Sequence, residues 1–132
     1  MSNFYPSPFV DDEKREWPTV EHYFQAMKYH KSPDYVEHIR TAPKPKDAFD
    51  LGRKSSNTFR ADWEESKDDV MLIGLRYKFT QNEELRKELL STGDAKLIEH
   101  TRNDKYWADG GDGKGKNMLG ILLMKLRDEL SK

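Results

Sequence analysis

Cysteine is absent from this 132-residue sequence. Disulfides and thiolate metal sites are therefore excluded, and the absence is compatible with a reducing compartment. Long hydrophobic runs are also absent, and no signal peptide is visible. From these absences we expect a cytoplasmic protein that does not enter a membrane.

A dominant charge of one sign is missing too, because 23 basic and 24 acidic residues leave a net charge of −1. No global field therefore attracts DNA or a membrane surface, although a local basic pocket is compatible with this balance. The sequence also lacks the His-Glu-x-x-His and Gly-x-Ser-x-Gly motifs, and its four histidines are not spaced as helical metal ligands. We expect no bound metal and no cofactor.

Aromatic residues are the main material for a core. Apolar residues make up only 35% of the chain and charged residues 36%, but there are 3 Trp, 6 Tyr and 6 Phe. Fifteen aromatic rings bury enough surface to argue against disorder, and the length suits one domain. We predict a single compact domain over residues 1–132.

Periodicity and capping signals predict an α+β fold that is mostly helical with a small β component. A hairpin is expected at 10–17, a strand at 97–101 and a glycine-rich loop at 103–114. Helices are expected at about 20–31, 33–40, 45–51, 63–79, 83–90 and 116–130. The signals at their ends are an N-cap at Thr19, a capping box of Asp62 and Glu65, a cap at Asn82, and helix-ending glycines at Gly52 and Gly93.

The first helix carries a candidate catalytic acid. Glu21 is at its second position, where unpaired N–H groups and the helix dipole favour an ionised carboxylate. Such a group suits cleavage of a ribosyl C1–N bond, which builds positive charge on the sugar. Glu21 could stabilise that charge, activate water or attack C1. The alternative is an acid that only stabilises the helix start.

Two further polar residues follow Glu21 at helical spacing, Gln25 and then Lys28. One interpretation is a polar cleft wall beside the apolar stripe. The other is a solvated helix face with one weak Glu–Gln pair.

The segment 106–120 is a second candidate site. Four glycines within 110–115 allow close approach of backbone N–H groups to an anion, and two lysines and a helix start follow. The alternative is a flexible loop with Asn117 as the helix cap. Trp107 could stack on a base or anchor the loop, whereas the spacing of Trp63 favours the core. Arg53 could bind phosphate, and Asp109 with Asp112 is a weak signal for Mg²⁺.

Several segments resemble the NADAR family, also called YbiA-like. They are residues 2–9 (Ser-Asn-Phe-Tyr-Pro-Ser-Pro-Phe), 17–26 (Trp-Pro-Thr-Val-Glu-His-Tyr-Phe-Gln-Ala) and 112–120 (Asp-Gly-Lys-Gly-Lys-Asn-Met-Leu-Gly), with shorter matches at 51–53, 62–63, 78–82, 89–93 and 123–127. The resemblance implies a compact, mostly helical α+β domain with N-glycosidase activity. Its implied substrates are phosphoribosylamino-pyrimidine intermediates of riboflavin synthesis, or ADP-ribosylated guanine, including guanine in nucleic acid. Members commonly carry a strand before the first of these motifs, whereas this sequence starts almost at it.

The resemblance also implies roles for individual residues. It makes Glu21 the essential glutamate. In addition to the resemblance, we hypothesise that Asp109 or Asp112 assists protonation of the leaving group. The expected substrate-binding residues are Asn3, Phe4, Lys28, Arg53, Trp63, Trp107, Gly113, Lys114, Gly115 and Asn117. Two other functions compete with this one: a non-catalytic module that binds ADP-ribose or nucleotides, and a plain interaction module. Protein partners are not indicated.

Overall fold

The computed structural model describes residues 7–54 and 60–132. The described residues form six α-helices and one two-stranded sheet, which confirms the predicted mostly helical α+β class. The chain divides into two compact units, Met1–Asn82 and Glu83–Lys132. The predicted site residues Asn3 and Phe4 lie outside the described residues.

The first unit begins with the predicted hairpin. Strands β1 (Phe9–Val10) and β2 (Glu16–Trp17) pair antiparallel, with Phe9 opposite Trp17. Four helices follow along the chain: α1 (Val20–Met27), α2 (Pro33–Arg40), α3 (Pro45–Lys54) and α4 (Trp63–Gln81). The hairpin and helices share an aromatic core, in which the Tyr23 ring contacts Trp17 edge-on at 5.3 Å between centroids.

Helix α1 begins as predicted but is shorter. The Thr19 hydroxyl accepts the His22 N–H, which confirms the cap. The helix ends at Met27 rather than near 31, because the next N–H groups bond three residues back, from Lys28 to Gln25 and from Tyr29 to Ala26. Tyr29, in this tighter turn, is buried.

Two predicted helix-end signals are wrong. Helix α3 runs through Gly52 to Lys54, so this glycine does not end it. Asp62 stands at the N-cap of α4 but makes no capping bond. Its carboxylate instead accepts the Arg60 Nε–H at 2.7 Å and the Ser66 hydroxyl at 2.8 Å, which leaves no capping box.

The second unit contains α5 (Glu83–Ser91), a long irregular segment and α6 (Met118–Leu130). Gly93 has φ +59°, as expected for a residue that ends α5. The predicted strand at 97–101 does not form. Its backbone bonds to the Asn117 side chain instead of to a neighbouring strand, through the Glu99 N–H and the Leu97 carbonyl.

Asn82, predicted to cap α5, stands at the C-cap of α4 and donates its side-chain N–H to the Lys78 carbonyl at 2.7 Å. Across the described residues, none of the helices is both long and apolar enough to cross a bilayer.

Candidate active site

Glu21 is a buried carboxylate at the start of α1. Only 6% of the residue is exposed, and its Oε1 accepts a hydrogen bond of 2.7 Å from the Gln25 amide nitrogen. The Thr19 cap fixes the turn on which it stands. A carboxylate removed from bulk water interacts more strongly with charge that develops beside it, which is what a cationic transition state requires.

Lys28 lies one turn beyond Gln25 and is also buried, with 9% of the residue exposed. Burial lowers the pKa of Lys28, attraction to Glu21 opposes that change, and repulsion from Arg53 adds to it. Its Nζ is 5.9 Å from the centroid of the Phe24 ring. The interpretation of Glu21, Gln25 and Lys28 as a solvated helix face is wrong, because all three are buried.

Two further predicted residues approach α1 from other helices: Arg53 is close enough to Lys28 to affect its pKa, and Trp63 contacts Phe24. Arg53, in the last turn of α3, is exposed and stands 5.2 Å from the Phe49 ring centroid. Trp63 opens α4, is 6% exposed, and has its ring 5.0 Å from that of Phe24. The first unit therefore gathers the predicted residues Glu21, Lys28, Arg53 and Trp63 around α1.

The remaining predicted residues lie in the loop of the second unit. Asp109 is 5% exposed; its Oδ1 accepts the Gly111 N–H at 2.8 Å and its Oδ2 pairs with His100 Nδ1 at 2.7 Å. The hydrogen bond to His100 and then that from Gly111 lower the pKa of Asp109. The role of Asp109 in protonating the leaving group stays a prediction. The Asp112 carboxylate accepts the Lys114 N–H at 2.9 Å.

The loop donates most of its amides to its own acceptors. At the start of α6, Asn117, Met118 and Leu119 donate their N–H groups to carbonyls of residues 106–108 at 2.9–3.0 Å. The Gly115 N–H likewise donates to the Asp109 carbonyl. An anion held by these amides, as the glycine pattern predicted, would have to displace those bonds. A substrate-binding role for Gly113, Lys114 and Gly115 stays a prediction that depends mainly on the exposed Lys114 side chain.

The Asn117 side chain forms hydrogen bonds with the irregular segment before α6 and not with the helix itself. It has a left-handed φ of +53° and makes no side-chain cap bond. Its amide binds the Leu97 carbonyl at 2.9 Å and the Glu99 N–H at 2.8 Å instead. Asn117 therefore occupies the predicted N-cap position of α6, but its side chain does not make the capping bond. Trp107 is partly exposed and contacts the Tyr106 ring edge-on at 4.8 Å, so its stacking role stays a prediction.

Sequence reasoning missed two contacts. His100 pairs with Asp109, and Gln25 presses against Gly52, which is 27 positions away in the sequence. The bond between Glu21 and Gln25 itself was signalled by their four-residue spacing. Among the described residues, no group of three His, Asp or Glu side chains is placed to hold a metal ion.

A comparison with known protein families matches residues 1–131 to the family described as NADAR domain. The sequence is 52% identical to N-glycosidase YbiA of Escherichia coli (strain K12) over 131 residues, which cover 99% of this chain and 81% of that protein. It is 37% identical to an N-glycosidase of Nostoc punctiforme over 132 residues, covering 98% of this chain and 84% of that one.

Two further comparisons extend the picture. A riboflavin biosynthesis protein of Vibrio vulnificus is 41% identical over 130 residues, which cover 98% of this chain but only 35% of that protein. Among solved structures, the NMR structure of the Escherichia coli protein YbiA superposes with a TM-score of 0.90 at 52% identity, covering 98% of this chain and 76% of that one. The fold implied by the family resemblance is confirmed.

Proposed function

Because this chain belongs to the NADAR family, we propose that it is an N-glycosidase, a hydrolase that cleaves the C1–N bond between a ribosyl group and a base. The observation that carries the proposal is the buried carboxylate of Glu21, held at a helix start beside Gln25 and Lys28. A module with no chemistry to perform has little reason to bury a carboxylate and an ammonium group on the same helix.

The reaction breaks the C1–N bond, and the electron pair goes to the base nitrogen. Positive charge then develops on the ribose ring, where the Glu21 carboxylate stabilises it. Water adds its oxygen to C1 and its proton ends on the base, which gives a free ribosyl hydroxyl and a free base. Glu21 acts as electrostatic partner, as base for the water, or as nucleophile.

The cations near Glu21 suit a phosphorylated substrate. Arg53 is close enough to Lys28 that repulsion between the two cations lowers the pKa of Lys28. An anionic group bound between them would relieve that repulsion. In the second unit, the predicted phosphate-binding loop has its own exposed ammonium group, that of Lys114. Trp63 and Trp107 stay proposed base contacts on the strength of the family resemblance, and of the two only Trp107 is partly exposed. Asn3 and Phe4 stay proposed contacts on the strength of the family motif.

The proposed substrate is a phosphorylated ribosyl or ADP-ribosyl base. The name of the Vibrio vulnificus relative favours a riboflavin-pathway ribosylamino-pyrimidine phosphate. ADP-ribosyl-guanine, free or in nucleic acid, shares the same C1–N bond and phosphate groups. Mass spectrometry of products from a panel of these substrates separates the two classes. Parallel reactions with EDTA test whether the activity needs a metal ion.

The decisive variant is Glu21→Gln. It keeps the size of the side chain and removes the charge, so we expect an intact fold, retained substrate binding and a loss of turnover of at least about 10²-fold. The matched control is Glu64→Gln, an exposed glutamate in the first turn of α4, which also loses a helix-start charge. Free base released by Glu21→Gln at the rate of the control would end the assignment.

The competing function is a non-catalytic module for ADP-ribose or nucleotides. It predicts calorimetric binding by the unaltered protein with no free base after long incubation. The glycosidase predicts free base from the same samples.

A further inference from the structure

The Gln25 side chain is held in an unusual way. Only 3% of the residue is exposed. Its amide nitrogen donates to Glu21 Oε1 at 2.7 Å, yet its buried Oε1 has no hydrogen-bond donor within the part of the chain that the structure describes. Buried polar atoms are nearly always paired, so an unpaired one in a native fold calls for a reason.

Gly52 supplies the surface against which this amide rests. A side chain at that position would place its Cβ 2.0 Å from Gln25 Oε1 and 2.7 Å from Cδ. The Gln25 side chain therefore occupies the space that any other residue at 52 would fill. Glycine is otherwise a poor choice inside a helix, so its presence fits a need for close approach.

The backbone around Gly52 is itself fixed. The Tyr29 hydroxyl donates to the Gly52 carbonyl at 2.7 Å, and the Tyr35 hydroxyl donates to the Leu51 carbonyl. Tyr29 is 2% exposed. Two tyrosine hydroxyls therefore hold the backbone carbonyls of Leu51 and Gly52 in place beside Gln25.

The opposite orientation of the amide is unfavourable. Turning the amide over would place the Gln25 oxygen against the carboxylate of Glu21, and two acceptors would then face each other. The orientation that lets the Gln25 nitrogen donate to Glu21 therefore leaves the Gln25 oxygen unpaired against Gly52. Polar groups that break local rules in this way are concentrated at functional sites.

We infer that Gln25 is a positioning residue, which fixes the Glu21 carboxylate in one orientation for the reaction at the ribosyl carbon, and that Gly52 fixes Gln25. The inference rests on the proposed role of Glu21. The donated N–H engages Oε1 and so restricts rotation of the carboxylate group. The same bond favours the ionised carboxylate, which is the form that stabilises positive charge.

The first test follows the Glu21 carboxyl by ¹³C NMR titration, assigned by the loss of its signal in Glu21→Gln. In Gln25→Met, which keeps length and flexibility but has no donor, the midpoint should rise by about 1 to 2 pH units. Lys28, which attracts Glu21, and Arg53, which repels Lys28, are present in every variant. A midpoint equal to that of the unaltered protein would overturn the inference.

A second variant, Gly52→Ala, leaves Gln25 chemically intact but displaces its amide. Alanine favours a helix over glycine, so a raised Glu21 midpoint would come from the displaced side chain and not from a weakened α3. The matched control is Gly74→Ala in α4. A Cβ there would stand 3.2 Å from the Tyr23 ring and 3.3 Å from Val20, so it presses on α1 without touching Gln25. The control should leave the midpoint in place; an equal rise in it would show a merely structural effect and overturn the inference.

The unaltered protein gives a test that needs no variant to fold. The Gln25 side-chain N–H₂ resonances should titrate with the same midpoint as the Glu21 carboxyl, because the two groups share a bond. Resonances that do not respond across that pH range would contradict the assignment.

Activity separates this inference from the proposed function. With a ribosylamino-pyrimidine phosphate as substrate, the acid limb of kcat should move to higher pH in Gln25→Met and Gly52→Ala, while KM changes little. An unmoved acid limb in active variants would overturn the positioning role. If the unaltered protein releases no base from any substrate, the proposed function fails, and the NMR titrations still decide whether Gln25 controls Glu21.

Discussion

His22 shows at the residue scale how α1 is anchored. Its Nε2 lies 3.0 Å from the Ala42 carbonyl, which can only accept, so Nε2 carries the proton. Nδ1 is then the acceptor for the Thr19 hydroxyl at 2.8 Å. Because that hydroxyl also accepts the His22 N–H, the neutral imidazole completes the cap that presents Glu21.

This arrangement predicts a loss of stability in mild acid. Burial lowers the pKa of His22, although the Ala42 carbonyl and Asp47 oppose it. The unfolded chain therefore binds a proton at a higher pH than the folded one. The contribution of His22 is complete above about pH 6.5 and is lost as pH falls below it, by up to about 1.4 kcal/mol per pH unit. Urea denaturation between pH 7.5 and 5.5 measures the slope.

The control for this prediction is a pair of variants. His22→Gln keeps a donor for Ala42 but cannot titrate here, so its slope should be shallower than that of the unaltered protein. The exposed His38→Gln on α2 should leave the slope as it was. His30, whose pKa is also lowered, is present in both variants. Equal slopes in all three proteins would refute the role of His22.

At the scale of elements, the hairpin has only two paired residues on each strand, and we infer that the Asp11 carboxylate contributes most to holding it together. Asp11 is 8% exposed and accepts bonds from the Glu13 and Arg15 N–H groups, the Arg15 guanidinium and the Trp17 indole, at 2.8–2.9 Å. Burial alone would raise the pKa of Asp11, but the bonds from Trp17 and Arg15 outweigh it and lower the pKa.

We therefore expect Asp11→Ala to lower the free energy of unfolding by about 2–4 kcal/mol, because several donors lose a charged acceptor. Glu13→Ala in the same turn breaks an exposed ion pair with Arg15 and should cost less than about 1 kcal/mol. Chemical denaturation compares the two. Similar losses in both variants would show that the hairpin does not depend on the buried carboxylate.

The start of α6 depends on the Asn117 side chain and its left-handed backbone. Asn117→Gly keeps the left-handed backbone conformation accessible and removes both hydrogen bonds of the side chain. Asn117→Ala removes the same hydrogen bonds and also strains the backbone at φ +53°. We expect both variants to speed hydrogen exchange at the Glu99 N–H, and alanine to cost about 1 kcal/mol more than glycine. Denaturation and amide exchange measure these effects. Protection of Glu99 in the glycine variant equal to that of the unaltered protein would contradict the anchoring role.

At the scale of the whole molecule, balanced charge argues against general nucleic-acid binding. With 23 basic and 24 acidic residues, the chain has no net attraction for a phosphate backbone. We expect excess unmodified single-stranded DNA not to inhibit hydrolysis of a small ribosyl substrate, even at low salt. An ADP-ribosylated strand should compete, if that class is accepted. Inhibition by unmodified DNA that disappears with added salt would show that a local basic surface overrides the net charge.

Sequence patterns predicted the helices well because helix periodicity and caps are local. The Thr19 cap, the hairpin and the ends of α2 could be predicted from neighbouring residues. The strand at 97–101 could not be judged correctly, because its backbone bonds to Asn117, twenty positions away from Leu97. The capping box failed for a different reason, because the Asp62 carboxylate bonds to two nearby side chains, Arg60 and Ser66, instead of to the helix backbone.

The sequence by itself determined the helical character, the family and the position of Glu21 at a helix start, since each depends on residue order over short stretches. Only the tertiary structure decided that Glu21, Gln25 and Lys28 are buried and that Gly52 confines Gln25. Burial and the choice of hydrogen-bond partner depend on which helices meet. Residues far apart along the chain compete for the same donors and the same space, and a local pattern carries no record of that competition.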